Sequence, residues 1–335
     1  MSENEEKIMP IGGQAVIEGV MMRSPKRIAT AIRRASGEIE IKIDEFISMI
    51  QRKKSLNIPV VRGAITLIEV MVLGIKTLQW SADKAIEDTE TAEEAKNGKR
   101  KAKNKKSGMS TASAIFTITI ALAIGILMFF VLPLYLTTEI FNIEKQALLF
   151  NLTAGLIRIM FFLLYVWGIS KMKDVKRLFQ YHGAEHKTIF AFEDRIFLSP
   201  ENAQKYTTYH PRCGTSFLVI VMLISLLFFA ILDTIIIYFY GDISLPIRLL
   251  THIPLIPVIG GIGYEAIKAS AKYNHIKIVQ FLIVPGLALQ RITTNKPDES
   301  QLEVAIAALK AALGEEYKDE LVLNNNITAD TRAAV

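Results

Sequence analysis

The residues whose types and spacing could do chemistry cluster just past the middle of the chain. Tyr181-His182-Gly183-Ala184-Glu185-His186 contains H-x-x-E-H, the inverted zincin spacing. On a helix, His182 and His186 lie one turn apart and point the same way, so two imidazoles can grip one metal ion. Glu185 lies beside them and is the candidate catalytic residue, a carboxylate able to activate water held by a metal. Further on, His210-Pro211-Arg212-Cys213-Gly214 adds an H-x-x-C pair in a turn-forming context. The chain has five histidines and one cysteine, and three of those histidines and the cysteine fall in this stretch. A lone cysteine cannot form an internal disulfide, which leaves metal binding or simple burial as its uses.

The candidate metal ligands are therefore His182, His186, His210, Cys213 and Glu265, and zinc is the expected cofactor. Ligand count separates two arrangements. His182, His186, His210 and Cys213 would fill a tetrahedron and close a structural site. Alternatively His182, His186 and Glu265 hold the metal, and His210 polarises substrate. A second unusual string, Gly12-Gly13-Gln14-Ala15-Val16-Ile17-Glu18-Gly19-Val20-Met21-Met22-Arg23, has neither a Walker nor a Rossmann pattern. It reads either as a loop lining the site or as a structural turn that packs Met21 and Met22. Candidate substrate or anion contacts are Arg23, Arg62, Glu18 and Glu69.

The elements that must position these residues are set by hydropathy. Of the 335 residues, 51% are hydrophobic and 21% charged, and Lys and Arg outnumber Asp and Glu by 39 to 33. Mean hydropathy is +0.31. That excess excludes an ordinary soluble, disordered or disulfide-framework protein. Four stretches approach the roughly 20 apolar residues needed to span a bilayer: about 112–136, 147–169, 215–240 and 247–267. The fourth contains His252, two prolines and a Gly-Gly pair, so a kink or partial insertion is expected. Arg158 and Asp233 are expected to pair between the second and third spans, or to mark a transport path.

The opening MSENEEK is acidic and no short apolar run follows it, so no signal peptide is expected. Lys and Arg gather before the first span, after the second and after the fourth, whereas the two opposite loops hold one lysine. The positive-inside rule then places both termini in the cytoplasm, with the chain crossing the membrane several times. The basic run Lys96–Lys106 has no interleaved aromatics and abuts a span, so it reads as a topology signal against lipid headgroups and not as a nucleic-acid site.

The predicted fold is mainly α: a polytopic membrane protein with about four transmembrane helices and a small α+β cytoplasmic layer that includes an N-terminal β-hairpin. Residues 1–58 form the β-rich unit, with strands at 27–33 and 38–44 around a turn at 35–37. Residues 59–82 form an in-plane or re-entrant helix and 83–111 a basic linker. Two transmembrane hairpins, 112–169 and 215–267, bracket the metal-site segment at 170–214. Residues 268–313 hold an interfacial stretch broken at Pro285-Gly286 and an amphipathic helix presenting Leu302, Ile306, Leu309 and Leu313; the tail, 314–335, reads as disordered.

The strings GGQAVIEGVMMR, NIPVVRGAITLIE, FQYHGAEHKTIFAFE, HPRCGTSFL, GIGYEAIK, PGLALQRITT and QLEVAIAAL resemble the hallmark strings of the YqhQ-like family, domain of unknown function 1385. The resemblance covers nearly the whole chain. It implies a bacterial multi-pass membrane protein, often labelled a predicted metal-dependent enzyme, with no reaction to carry over. Three functions stay open at this level: a zinc-dependent membrane hydrolase, a scaffold or assembly factor stapled by a structural metal, and a transport-related protein. The expected partners are the lipid bilayer and other membrane proteins, with oligomeric state unspecified.

Overall fold

The computed structural model describes residues 11–97, 111–273 and 276–314. The chain opens on four antiparallel strands in sequence order: β1 (Gly12–Val16), β2 (Gly19–Arg23), β3 (Arg27–Arg33) and β4 (Ile39–Glu45). The β3–β4 hairpin is the one expected from the isoleucine–charge alternation, with Ile32 opposite Glu40 and Ala31 opposite Ile41. The glycine-rich string is a hairpin too, closed by Ile17-Glu18, with Val16 opposite Gly19. Alternate residues take opposite faces. Val20, Met22, Ala29 and Ala31 join one core with the last helix, and Val16, Met21, Ile28 and Ile32 join another with Leu73 and Trp80.

A short helix, α1 (Met49–Arg52), leads to α2, which runs Val61–Asn97 without a break. This corrects the expected boundary near residue 82, because positions 83–97 are helical and not a linker. Those residues are rich in Ala, Glu and Lys, all good helix formers. They also have partners on the sheet: Asp88 takes Arg34 at 2.7 Å, and Lys84 takes Glu40 at 3.0 Å. The rest of the expected linker, 98–110, and the tail beyond Gly314 lie outside the described residues.

Among the described residues four helices are long and apolar enough to cross a membrane, and the protein is a multi-pass membrane protein. The first span, Ile115–Phe141, joins α3 (Thr111–Ile126) to α4 (Leu132–Phe141) through a π-helical turn at Leu127–Val131. The others are α5 (Ala147–Ile169), α8 (Gly214–Tyr240) and α9 (Leu245–Lys272). Between α5 and α8 lie α6 (Lys173–Glu193) and the short α7 (Pro200–Gln204); after α9 come α10 (Lys277–Thr293) and α11 (Glu299–Leu313). Pro254 and Pro257 sit inside an unbroken α9, and Pro285 inside an unbroken α10. The break expected at Pro285-Gly286 therefore does not occur.

The intramembrane charges find partners other than each other. Pro133 has no N–H for the carbonyl of Phe129 four residues earlier. Arg158 donates its Nε to that carbonyl at 2.8 Å and reaches Ser225 at 3.3 Å. Asp233 instead accepts from Asn151 at 2.7 Å, Arg248 at 3.0 Å and His252 at 2.9 Å. The expected Arg158–Asp233 pair is thus replaced by two separate networks.

The expected amphipathic helix is α11, whose Leu302, Ile306, Leu309 and Leu313 are buried. It begins at an Asp298/Gln301 capping box and closes the sheet's core together with Tyr181, Ala184 and Phe192 of α6. The α+β layer formed by the sheet, α6 and α11 therefore sits at one end of the spans, where α5 ends and α8 begins.

Candidate metal centre

Helix α6 supplies the first two side chains. His182 and His186 share a face, their ring centroids 4.4 Å apart. Cys213 arrives from the turn before α8, where it is the N-cap residue and its Sγ accepts from Thr215 N at 3.4 Å. The sulfur therefore stands at the start of a 27-residue helix. His182 Nε2 lies 3.2 Å from that sulfur. One ligand atom from each of His182, His186 and Cys213 falls within 4.8 Å of the others. Tetrahedral zinc separates its N and S donors by about 3.4–3.6 Å, so a small contraction completes the set.

Two carbonyls decide which ring nitrogens face inward. His182 Nδ1 meets Thr293 O at 2.8 Å, and His186 Nδ1 meets Thr208 O at 2.5 Å. A carbonyl can only accept, so both Nδ1 atoms carry the proton and both Nε2 atoms keep a lone pair. His186 Nε2 is buried with no partner. Histidines that hold metals characteristically donate their other nitrogen in this way. Burial also pushes the His186 imidazole below its ordinary range, which keeps it neutral as a ligand must be.

His210 is arranged differently. Its Nδ1 accepts from Arg212 N at 3.3 Å, which leaves the proton on Nε2. That Nε2 is buried without a hydrogen bond, 3.6 Å from a Glu193 oxygen, and its ring lies 5.6 Å from that of His186. Burial holds this imidazole below its ordinary range too. Its backbone is clamped by Gln290, which accepts from His210 N at 2.7 Å and donates to His210 O at 2.8 Å and Ser216 Oγ at 3.0 Å.

Glu185 is 5% exposed, and burial holds its carboxyl above the usual carboxylate range. The N–H of Gly13 donates to it, and one oxygen lies 3.8 Å from His182 Nε2. Glycine is needed at position 13, where a Cβ would stand 2.7 Å from Glu185 Cγ. The glycine-rich hairpin therefore both lines the site and packs Met21 and Met22, so the two readings of that string combine. His182, Glu185, His186, His210 and Cys213 all border a cavity of about 480 Å³, together with Gly13, Gln14, Val70, Phe179 and Arg212.

The other sequence candidates lie elsewhere. Glu265 accepts both arms of Arg62, at 2.6 and 2.5 Å, and takes the backbone N–H of Val60. It thus anchors the start of α2 to α9, and Cys213 stands where a third ligand was expected from Glu265. Glu69 accepts from Ser48 at 2.7 Å and from Met49 N at 2.6 Å, capping α1. Arg23 lies 4.3 Å from the centroid of the Phe46 ring, and Glu18 pairs with Arg177. None of Arg23, Arg62, Glu18 and Glu69 borders the cavity. Gln290 escaped sequence reading, although a glutamine in the apolar second half of its helix was a signal. Thr208 and Thr293 act through backbone carbonyls, which leave no mark in side-chain identity.

A profile described as a protein of unknown function (DUF1385) matches residues 58–315. The chain belongs to this family. It is 31% identical over 319 residues to "Uncharacterized protein YqhQ" of Bacillus subtilis (strain 168), covering 92% of this chain and 94% of that one. No solved structure matches. The matched family region contains all three clustered ligands, while Gly13, which holds Glu185, comes from the sheet that precedes it.

Proposed function

We propose that the protein is a zinc-dependent hydrolase of the bacterial cytoplasmic membrane, acting at the cytoplasmic face on a membrane-associated substrate. One observation carries this reading: three ligand atoms gather at a cavity, and a buried carboxyl and an unpartnered imidazole N–H border the same space. Three protein ligands with an open position are the pattern of reactive zinc, whereas four close a structural site. Two imidazoles and a thiolate suit zinc among the common divalent ions. The chemistry a zinc ion supplies is Lewis acidity, which makes water a usable nucleophile near neutral pH.

The protein's own groups divide the remaining work. Glu185, held by Gly13, takes the proton from the attacking water, and its raised affinity for protons suits that task. His210, clamped by Gln290, borders the cavity, and its Nε2–H donates to the oxygen on which charge develops. Arg212, which lines the cavity and pairs with Glu193, places a cation beside an anionic group. The cytoplasmic assignment rests on Lys171, Lys173, Lys176 and Arg177 after α5 and on Lys268, Lys272 and Lys277 around the end of α9, all at the site's end of the spans.

The test is metal analysis of purified protein, followed by cobalt substitution. A thiolate-to-cobalt absorption band that disappears in Cys213→Ser supports the ligand set. Glu185→Gln that keeps its metal but loses hydrolysis of membrane-extracted esters or phosphoesters supports the role of the carboxyl. Purified protein with no tightly held metal would refute the reading. Full activity in Glu185→Gln would remove the carboxyl from the mechanism, and metal-loaded protein without any hydrolysis would leave the metal as a staple for the α+β layer.

A further inference from the structure

The cavity has a second character besides its chemistry. Its polar side carries His182, Glu185, His186 and Cys213, and its wall carries Ile11, Val70, Leu178, Phe179 and Ile189. Val70 belongs to α2 and is 42% exposed. It therefore lines the cavity and is itself exposed, on a helix whose other side carries a row of exposed apolar residues, Ile68, Met71, Val72, Ile75 and Leu78. Such a row on water would be a liability.

The start of α2 is fixed against a span. Gly63 meets Gly261 of α9 so closely that a Cβ at position 63 would stand 2.6 Å from the Gly261 carbonyl, and a Cβ at Gly261 would collide with Val60 O. Gly261 precedes Ser270, the end of the apolar stretch, by nine residues, about 13 Å of helix. Charged Glu265 and Lys268 lie between the two, so the first turn of α2 packs at the boundary of the leaflet next to the site. Val70 follows no more than about 10 Å further along. On α10, whose last turn supplies Gln290 and the Thr293 carbonyl, Ile278, Phe281, Leu282 and Val284 are exposed as well. Two apolar surfaces continuous with the spans thus come from the helices that carry a cavity wall and the site's clamps.

We propose that the cavity opens sideways into this leaflet past Val70, and that its substrate is a membrane amphiphile whose apolar chain stays in the bilayer while its polar head reaches His182, His186 and Cys213. This rests on the hydrolase reading for what happens to the head, and adds where the substrate comes from.

The experiment uses the full chain in nanodiscs of phosphatidylethanolamine and phosphatidylglycerol doped with a phosphatidylglycerol bearing a mid-chain diazirine. After photolysis, cross-linked peptides are mapped by mass spectrometry. Cross-links are expected on Leu178, Phe179 and Ile189 of the wall, besides those on Leu227 and Ile231 of the exposed face of α8. Val70→Trp should lower the wall cross-links by about an order of magnitude and leave those on α8 unchanged. Met71→Trp, exposed beside it but not lining the cavity, should leave both unchanged. Cross-links confined to the spans, or wall cross-links indifferent to Val70→Trp, would overturn the proposal and point to a water-soluble substrate entering from the aqueous side. Zinc content of the same preparation separates the two claims. Wall cross-links in zinc-free protein keep the opening and sink the hydrolase, whereas zinc without wall cross-links does the reverse.

Discussion

Glu185 rests on the bare backbone of Gly13: a Cβ at that glycine would come within 2.7 Å of Glu185 Cγ and 2.8 Å of its Oε1. A residue near the start of the chain thereby fixes the carboxyl that borders the metal ligands, 172 positions later (185 − 13).

Gly13→Ala should push that carboxyl out of place. Forcing a methyl group into a packed contact costs about 1–3 kcal/mol. Thermal unfolding in detergent should show a lowered midpoint, with metal content close to that of the parent. A variant that melts like the parent would mean the contact is not tight in the folded protein.

The histidines should sort by tautomer. His182→Ala, His186→Ala and Cys213→Ser should each lose the metal on dialysis, whereas His210→Ala and Glu265→Gln should keep it. Elemental analysis of equally folded samples reads this directly. Retention by His186→Ala would remove the unpartnered Nε2 from the argument. Gln290→Leu, which releases the turn carrying His210 and Cys213, should weaken metal affinity about 10- to 100-fold, as loss of a group orienting a ligand does.

Arg158 and Pro133 should be coupled. Arg158→Met leaves the Phe129 carbonyl without its donor and should cost about 1–3 kcal/mol. Pro133→Ala restores a backbone N–H for that carbonyl, so Arg158→Met should cost less in that background. A double-mutant cycle on unfolding in detergent measures the difference, and strictly additive effects would contradict it.

Asp233 and Arg248 are both fully buried and ion-paired. Removing one charge, as in Arg248→Met, should destabilise by about 3–5 kcal/mol because the buried Asp233 carboxylate keeps only Asn151 and His252 as partners. Removing both, as in Asp233→Leu with Arg248→Met, should recover part of that loss. Expression level and thermal midpoint follow the two variants, and a double variant worse than either single one would count against the pair.

Much of this architecture was legible because it is written in side-chain pattern. The spans follow from uncharged runs, β4 from the Ile39–Ile43 alternation, and the α11 face from Leu302, Ile306, Leu309 and Leu313. The gathering of His182, His186 and Cys213 followed from helical spacing and from a turn placed at the start of α8. Other features escaped because they are relations and not patterns. Asp233 chose Arg248 and His252 over Arg158, which depends on how α9 is rotated against α8. Glu265 chose Arg62 because α2 crosses α9 at Gly63 and Gly261. The boundary of α2 was misplaced because residues 83–97 look solvated by composition, and only the Asp88–Arg34 and Lys84–Glu40 contacts reveal the sheet beside them. The Thr208 and Thr293 carbonyls, which set the tautomers, could belong to any residue type.

Those two carbonyls also fix an order of events in the life of the chain. His186 needs Thr208, which lies between the second and third spans, and His182 needs Thr293, which is synthesised only after the fourth. A chain still emerging, with two spans in the bilayer, holds α6 with one imidazole free to turn and its proton unassigned. Cys213 becomes a helix cap only once α8 has formed. The three candidate ligands therefore come together only once all four described spans are in place, so any metal they hold would be taken up late in biogenesis.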